Sequence, residues 1–474
     1  MNIHLAESKR GNEQFKRLVL FAFSVLIIAA ETYAFWICWI HYYNPRLYSS
    51  FFYKGHLVMI LVYVLLTFAM SKVYGAFKIG YLRTTDILFS QTLSMLFANV
   101  VVYLQTCMLS LRLVSVWPML ILTVVDFIII VIWTFLTKYV YAKLYPPRKM
   151  LLVYCDRDPD GLVKKMNKRK DRYNICGSVH IDKGMEYIAD LIEDEDFEAV
   201  LLCDIPGDIR NDLIKYCFAR SIRVYLTPKI SDVIIEGGDN MHLFDTPLIL
   251  MRNRGFSIEH KVVKRIMDII VSLIVLVIFS PILLIVAIAI KLTDGGTIFY
   301  KQERLTYNEK VFMLYKFRSM RMDSEKNGAR LSFKHDDRVT PIGKIIRKIH
   351  VDELPQLINI LKGEMSFVGP RPERPEIAEQ YYKEIPEFRY RLKVKAGLTG
   401  YAQIYGKYNT TPYDKLKLDM YYIEHCTVLM DLRLILMTVK ILFQKDSTEG
   451  VEKEQTTAVL KHKKVKEYQI DKED

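Results

Sequence analysis

Two adjacent acidic residues, Asp352 and Glu353, are the strongest candidates for chemistry in this chain. They precede Pro355 and an apolar run with helical spacing that Gly363 ends. Because proline is tolerated only in the first turn of a helix, both acids are predicted at a helix N-terminus, where backbone N–H groups and the helix dipole favour ionised carboxylates. An ionised carboxylate can attack phosphorus or ligate Mg²⁺, so two adjacent acids could divide those roles. The predicted apolar face of this helix consists of Leu354, Leu357, Ile358 and Leu361.

Four cationic side chains accompany these acids. Lys316 and Arg318 lie in the sequence KFRSM, Arg347 lies five residues before Asp352, and Arg371 lies in a stiff Gly-Pro-Arg-Pro turn. Such cations bind phosphate, and arginine does so in a bidentate manner. An acid at a helix start, or arginines facing anionic lipid, would each be unremarkable alone. Their joint occurrence just after an apolar membrane segment favours a phosphate-handling site.

That apolar segment, Ile269–Ile290, carries no charge and has Ser280-Pro281 at its middle. Proline kinks a helix, and the serine hydroxyl can satisfy a backbone group that the proline frees. Each half spans roughly 16 Å at 1.5 Å per residue, about half of the hydrocarbon core. Since lysines and arginines flank both ends, we expect a re-entrant helical hairpin over residues 266–291 that enters and leaves by one face. The alternative is a kinked helix that crosses the membrane.

Long apolar runs near the N-terminus predict a bundle of four transmembrane helices within residues 1–145. The runs are Leu18–Ile40, about Gly55–Tyr74, Ile87–Leu111 and Leu113–Leu136. Lys and Arg are concentrated before the first run, after the second and after the fourth, so the N-terminus and everything beyond the fourth run are predicted on the cytoplasmic side. Glu31 and Asp126 lie inside these runs. We expect them to form hydrogen bonds between helices, because no further polar residues mark a transport path.

Strands alternate with helices between residues 146 and 250, which predicts a Rossmann-like parallel α/β domain. The strands are expected at Lys149–Cys155, Tyr173–Val179, Glu198–Asp204 and Ile222–Thr227. The turn after the first strand holds one glycine and three acids, which would repel a pyrophosphate, so a structural or regulatory role is favoured over dinucleotide binding.

The composition agrees with a membrane protein of mixed architecture. The 474 residues are 51% hydrophobic and 25% charged with a net charge of +13, which excludes a disordered chain and a small disulfide scaffold. The seven cysteines contain no CxxC pair, so a zinc ribbon is not supported. We expect a C-terminal α-rich domain over 251–445 and a charged, disordered tail over 446–474. Leu429–Phe443 is expected to form an amphipathic helix at the membrane surface or, alternatively, a helix packed on the domain core.

Residues 262–445 resemble the bacterial sugar transferases, the monotopic phosphoglycosyl transferases that act on polyprenyl phosphate. The resemblance rests on the Ser280-Pro281 hairpin, KFRSM at 316–320, Arg347 before DELPQ at 352–356, KGEMS at 362–366, VGPRP at 368–372 and GLTGYAQ at 397–403. With the N-terminal spans and the α/β domain, the chain resembles the large subclass, the hexose-1-phosphate transferases that initiate exopolysaccharide, capsule or O-antigen units. The missing glycine-rich turn departs from many relatives.

The resemblance implies a two-step reaction at the cytoplasmic face of the bacterial inner membrane. Asp352 would attack the β-phosphate of a UDP-sugar and release UMP, and polyprenyl (undecaprenyl) phosphate would then accept the phosphosugar from Asp352. Glu353 would bind Mg²⁺, and Lys316, Arg318, Arg347 and Arg371 would handle phosphate. The implied partners are a UDP-sugar, undecaprenyl phosphate, anionic membrane lipid and downstream glycosyltransferases, but not nucleic acid. A homodimer remains open.

Two other functions stay open at this point. One is a non-enzymatic membrane regulator or scaffold of polysaccharide assembly, against which the acids beside the arginines argue. The other is a five-span transporter, which predicts an extracellular C-terminus. No residue selects the sugar, although glucose or galactose phosphate would be typical of the large subclass.

Overall fold

A computed structural model describes residues 7–252, 256–321, 338–406 and 410–442. The chain divides into two compact units, with the division between Thr227 and Pro228. The predicted boundary near residue 250 differs from this division, because residues 230–233 pack into the hydrophobic core of the second unit. The tail at 446–474 lies outside the described residues.

The first unit begins with four long helices at the positions of the expected spans. They are α1 (Glu7–Cys38), α2 (Tyr53–Tyr74), α3 (Thr84–Ser110) and α4 (Trp117–Leu144). A π-helical turn, Trp39–Tyr43, extends α1, and the rings of Phe35 and Tyr63 stack between α1 and α2. Their length and apolar composition would allow all four to cross a membrane.

A parallel sheet follows, as predicted. Its strands are β1 (Arg148–Tyr154), β2 (Tyr173–His180), β3 (Ala199–Cys203) and β4 (Arg223–Leu226), in the spatial order β2-β1-β3-β4. The helices α5 (Asp160–Asn167), α6 (Met185–Asp194) and α7 (Gly207–Ala219) connect them. The central strands β1 and β3 are almost wholly buried, which explains their continuous apolar sequence.

The second unit is α-rich with short sheets, and it begins with α8 (Ile230–Glu236), the hairpin β5 (Asp239–Leu243) and β6 (Thr246–Leu250), and the long helix α9 (Ile258–Asp294). The hairpin β7 (Phe299–Leu305) and β8 (Val311–Phe317) leads to α10 (Pro341–Lys348), α11 (Gln356–Lys362) and β9 (Ser366–Val368). The chain continues through α12 (Pro375–Glu384), β10 (Gly397–Thr399), α13 (Tyr401–Tyr405), α14 (Pro412–His425) and α15 (Val428–Leu442), the last at the position of the expected amphipathic helix.

Helix α9 is the fifth helix that is long and apolar enough to cross a membrane. It continues through Pro281, and the re-entrant hairpin therefore stays a prediction. The Ser280 hydroxyl donates a hydrogen bond at 2.8 Å to the carbonyl oxygen of Val277, four residues before the proline. This is the carbonyl that Pro281 leaves without its helical N–H donor, so the expected compensation by serine is present.

Both ends of α9 contact the same unit. Near its start, the Lys264 ammonium pairs with Asp431 at 2.6 Å, and Asp268 accepts the backbone N–H of Phe367 at 2.8 Å. Near its end, Ile290 packs in a buried cluster with Val351. A straight helix would separate Lys264 from Ile290 by about 39 Å at 1.5 Å per residue.

The local structure around the two acids differs from our prediction in two respects. Asp352 and Glu353 lie in a single 3₁₀ turn, Val351–Glu353, rather than in the first turn of α11, which begins only after Pro355. The buried face of α11 includes Leu357 and Ile360, whereas Ile358 is 37% exposed. The buried residues of α11 are Gln356, Leu357, Asn359 and Ile360, so its buried face differs from the predicted one.

Candidate active site

Glu353 is the centre of a cluster of charges. Its Oε1 atom accepts hydrogen bonds from Lys316 Nζ at 2.9 Å and from Arg371 Nη2 at 2.7 Å. Lys316 comes from strand β8, and Arg371 comes from the turn after β9. Three separate segments therefore meet at one carboxylate, and two of the four predicted phosphate-binding cations contact it directly.

The turn that carries the acids is held in a rare backbone conformation. His350, directly before it, has φ 56° and ψ 18°, a left-handed conformation that is unusual for a residue other than glycine. Val351 is buried against Ile346 and Phe317 and anchors the turn. The sequence did not single out His350, and only its position two residues before Asp352 could have drawn attention to it.

Asp352 is buried next to this cluster. Among the residues that the structure describes, no group forms a hydrogen bond with its carboxylate. Burial raises the pKa of Asp352, while the positive charges of Lys316 and Arg347 oppose that rise. An ionised, poorly solvated carboxylate without hydrogen-bond partners would be a better nucleophile than one that is already bonded.

Glu353 has the opposite electrostatic balance. Burial alone would raise its pKa, but Arg371 and Lys316 together hold the pKa of Glu353 well below its usual range. Glu353 is therefore ionised throughout the neutral range. The two neighbouring acids differ in environment, which agrees with separate roles.

Close backbone contacts place Arg371. The backbone N–H of Gly369 bonds the carbonyl oxygen of Thr399 at 2.8 Å, and the N–H of Gly397 bonds that of Pro370 at 2.9 Å. A Cβ atom on Gly397 would lie 2.1 Å from the backbone nitrogen of Gly369. The VGPRP and GLTG motifs thus pack backbone to backbone, and this explains why glycine is required in them.

A buried charge network supports the same turn, and sequence reasoning missed it. Arg391 is 2% exposed, and its Nη2 atom bonds the backbone carbonyl oxygen of Arg371 at 2.8 Å and the carboxylate of Asp419, also at 2.8 Å. Arg304 Nη1 bonds the next carbonyl, that of Pro372, at 3.0 Å. Glu373 joins this network through Arg391 and Lys415. Two guanidinium groups therefore fix consecutive peptide units around the Arg371 side chain.

The other two predicted cations lie elsewhere around the acids. Arg347 occupies the last turn of α10, and its charge acts on Asp352. Arg318 is buried beyond the end of β8, with its guanidinium against Gly296, next to Ile290 at the end of α9. Among the described residues, no ion pair joins Arg318 to Glu353.

The residues present fit a magnesium ion. Glu353 Oε1 receives both close cationic contacts, whereas Oε2 has only a 3.5 Å contact from Arg371 Nη1 and remains available. Mg²⁺ is usually bound by one or two carboxylates and completes its shell with water and substrate phosphate oxygens. Glu353, with Asp352 beside it, supplies such donors.

The class of protein compatible with the long apolar helices is a membrane-associated one, and its site pairs a partly buried carboxylate with two cations. Residues 259–445 match the family model described as bacterial sugar transferase. The chain belongs to the bacterial sugar transferase family.

Three curated relatives illustrate this membership. A UDP-N-acetylgalactosamine-undecaprenyl-phosphate N-acetylgalactosaminephosphotransferase of Aeromonas hydrophila is 34% identical over 53% of this chain and 62% of its own length. A UDP-glucose:undecaprenyl-phosphate glucose-1-phosphate transferase of Klebsiella pneumoniae is 40% identical over 43% of each chain. The galactosyl transferase CpsE of Streptococcus agalactiae is 30% identical over 64% of this chain and 74% of its own length. The chain thus spans only about half the length of the first two relatives.

Proposed function

We propose that this protein transfers a sugar-1-phosphate from a UDP-sugar to undecaprenyl phosphate, with release of UMP. The observation that carries the proposal is the pair of unlike acids: Asp352 without hydrogen bonds among the described residues, beside Glu353 held by Lys316 and Arg371. A scaffold protein would not need this arrangement of charges, and burying charged groups is energetically costly.

In the first step, an oxygen of ionised Asp352 attacks the β-phosphorus of the UDP-sugar. The bond between this phosphorus and the oxygen that bridges it to the α-phosphate breaks, and UMP leaves with the electron pair. The sugar phosphate remains on Asp352 as an acyl phosphate. Lys316, Arg318, Arg347 and Arg371 stabilise the charge on the transferring phosphoryl group.

In the second step, a phosphate oxygen of undecaprenyl phosphate attacks the same phosphorus, and the Asp352 carboxylate leaves. The product is an undecaprenyl-diphospho-sugar, a suitable acceptor for downstream glycosyltransferases. The contacts of both ends of α9 with one unit support a re-entrant helix that meets the lipid substrate from the cytoplasmic face of the inner membrane. A crossing helix would place its two ends on opposite sides of the membrane.

Magnesium is part of this proposal. Glu353 would hold Mg²⁺ through Oε2 with help from Asp352, and the bound ion would supply charge neutralisation on the diphosphate. Lys316, Arg347 and Arg371 would position the phosphates of the substrate around the ion.

The test is UMP release from a panel of UDP-sugars by the purified protein in nanodiscs with undecaprenyl phosphate and Mg²⁺. The panel includes UDP-glucose, UDP-galactose and UDP-N-acetylgalactosamine, the sugars in the names of relatives. One sugar should support turnover, Asp352→Asn should abolish it, and mass spectrometry of a reaction without lipid should find the phosphosugar on the peptide that contains Asp352. Full activity of Asp352→Asn would refute the covalent mechanism, and an absence of turnover with every sugar would refute the function.

A further inference from the structure

Polar side chains from all four helices of the first unit converge inside the bundle. They are Glu31 on α1, Tyr63 on α2, Gln91 and Asn99 on α3, and Asp126 on α4. Glu31 is 1% exposed, and Gln91 and Asp126 are 0% exposed. Glu31 and Asp126 therefore have buried polar neighbours in Tyr63, Gln91 and Asn99, although the sequence marks no transport path. These partners come from α2 and α3, and only packing brings them together with Glu31 and Asp126.

The expected hydrogen bonds between helices are present. Asp126 Oδ2 accepts from Asn99 Nδ2 at 3.2 Å. The Tyr63 hydroxyl has one proton to donate, to Asn99 Oδ1 at 3.1 Å or to Asp126 Oδ2 at 3.4 Å. Glu31 Oε1 accepts from Gln91 Nε2 at 3.4 Å. Each carboxylate is thus within hydrogen-bond reach of a donor on another helix.

Two ionised carboxylates here would lack compensating charge. Within the described part of the chain, no Lys, Arg or His forms an ion pair with Glu31 or Asp126, and the two acids lie close enough to interact electrostatically. Unpaired charges at such positions are costly, and acidic residues inside membrane bundles are accordingly tied to ion or proton sites.

Oxygen atoms remain available beside these acids. Asp126 Oδ1 and Gln91 Oε1 are buried, and neither has a hydrogen-bond partner among the described residues. A buried oxygen without a partner is expensive, so such a site needs a water molecule or a cation. Carboxylate and amide oxygens are hard donors, which suit alkali and alkaline-earth cations rather than transition metals.

We propose that the N-terminal bundle binds one small inorganic cation through the free oxygens of Asp126 and Gln91, with Glu31 supplying the second negative charge. The site lies within the first unit and is independent of the proposed transferase reaction. A result for the cation site would not decide the transferase proposal, and a result for the transferase reaction would not decide the cation proposal.

Tryptophan fluorescence allows a direct test, because all four tryptophans of the chain lie in this bundle region, at positions 36, 39, 117 and 133. Thermal unfolding of the full protein in nanodiscs would be followed in NaCl, KCl, MgCl₂ or CaCl₂ and compared with N-methyl-D-glucamine chloride at equal ionic strength. At least one inorganic cation should raise the midpoint by several degrees in a saturable manner, because a ligand that binds only the folded state stabilises it.

Four variants complete the test. Asp126→Asn and Gln91→Leu should lose the cation effect, while Ser94→Ala, a buried position whose hydroxyl bonds only within α3, should keep it. Glu31→Gln provides a further variant if Asp126→Asn fails to fold. Equal midpoints of the wild type in all salts would mean that protons neutralise the acids and would overturn the proposal. A cation effect that persists in both Asp126→Asn and Gln91→Leu would overturn it equally.

Discussion

The Arg391 guanidinium donates a hydrogen bond at 2.8 Å to the backbone carbonyl oxygen of Arg371, 20 residues away in the chain. Asp419 bonds the same guanidinium from α14, and Arg371 in turn bonds Glu353. Arg391 thus positions Arg371, the cation that contacts Glu353, through the backbone of Arg371.

Arg391→Lys should lower kcat/KM for UMP release about 10- to 100-fold, because lysine lacks the planar guanidinium whose Nε bonds Asp419 at 3.0 Å and whose Nη1 contacts Glu373 at 3.4 Å, and small displacements at a reacting centre are costly. Steady-state kinetics would check this. The matched control is Arg389→Lys, an exposed position two residues away whose ion pair with Glu309 should matter little. Equal losses in both variants would contradict a positioning role for Arg391.

Glu353→Gln should raise the Mg²⁺ concentration needed for half-maximal activity and lower the maximal rate, since the amide loses the charge that pairs with Lys316 and Arg371. A magnesium titration of UMP release gives both quantities. Glu379→Gln, exposed on α12, serves as the control. An unchanged magnesium dependence in Glu353→Gln would exclude Glu353 as a ligand.

Gly397→Ala should inactivate the enzyme and destabilise the second unit by roughly 1–3 kcal/mol or more, because the new Cβ would lie 2.1 Å from the Gly369 nitrogen. Hydrogen exchange of the peptide 366–372, together with activity, would report the displacement of the Arg371 turn. Gly161→Ala, where a Cβ meets no atom within 4 Å, should leave both unchanged. Full activity of Gly397→Ala would show that the turn tolerates displacement.

The Glu373 network predicts a loss of stability in acid. Burial raises the pKa of Glu373, but Lys415 and Arg391 outweigh burial and lower it to about 2, against 4.5 for the free side chain. A lowered folded-state pKa contributes stability above pH 4.5 that is lost as the pH falls towards 2, up to about 3 kcal/mol. Hydrogen exchange of residues 366–374, corrected for its intrinsic pH dependence, should show reduced protection across that range. Constant protection would contradict the ionised network.

Cysteine labelling tests the topology of α9. In a background without native cysteines, Lys261→Cys and Leu292→Cys, which lie near the two ends of α9, should both resist a membrane-impermeant maleimide in intact cells and react in inverted vesicles. Tyr48→Cys, exposed between α1 and α2, should show the reverse pattern. Labelling of position 292 from outside intact cells would demonstrate a crossing helix.

The sequence alone determined the main elements of the fold. The four long helices, the four parallel strands and the end of α11 at Gly363 lie close to their predicted positions. Apolar runs, strand–helix alternation and a helix-ending glycine are local signals that need no knowledge of distant contacts. Asp352, Glu353 and their cations could likewise be selected by residue type and spacing.

Only the tertiary structure decided how these residues are arranged. It placed the Arg318 guanidinium against Gly296, moved the acids into a 3₁₀ turn before α11, and revealed that Arg391 holds the Arg371 turn. It also gathered Glu31, Gln91 and Asp126 from three helices. Whether a buried polar group has a partner depends on which distant segments pack against it, and hydrophobic periodicity records burial but not the identity of the neighbour.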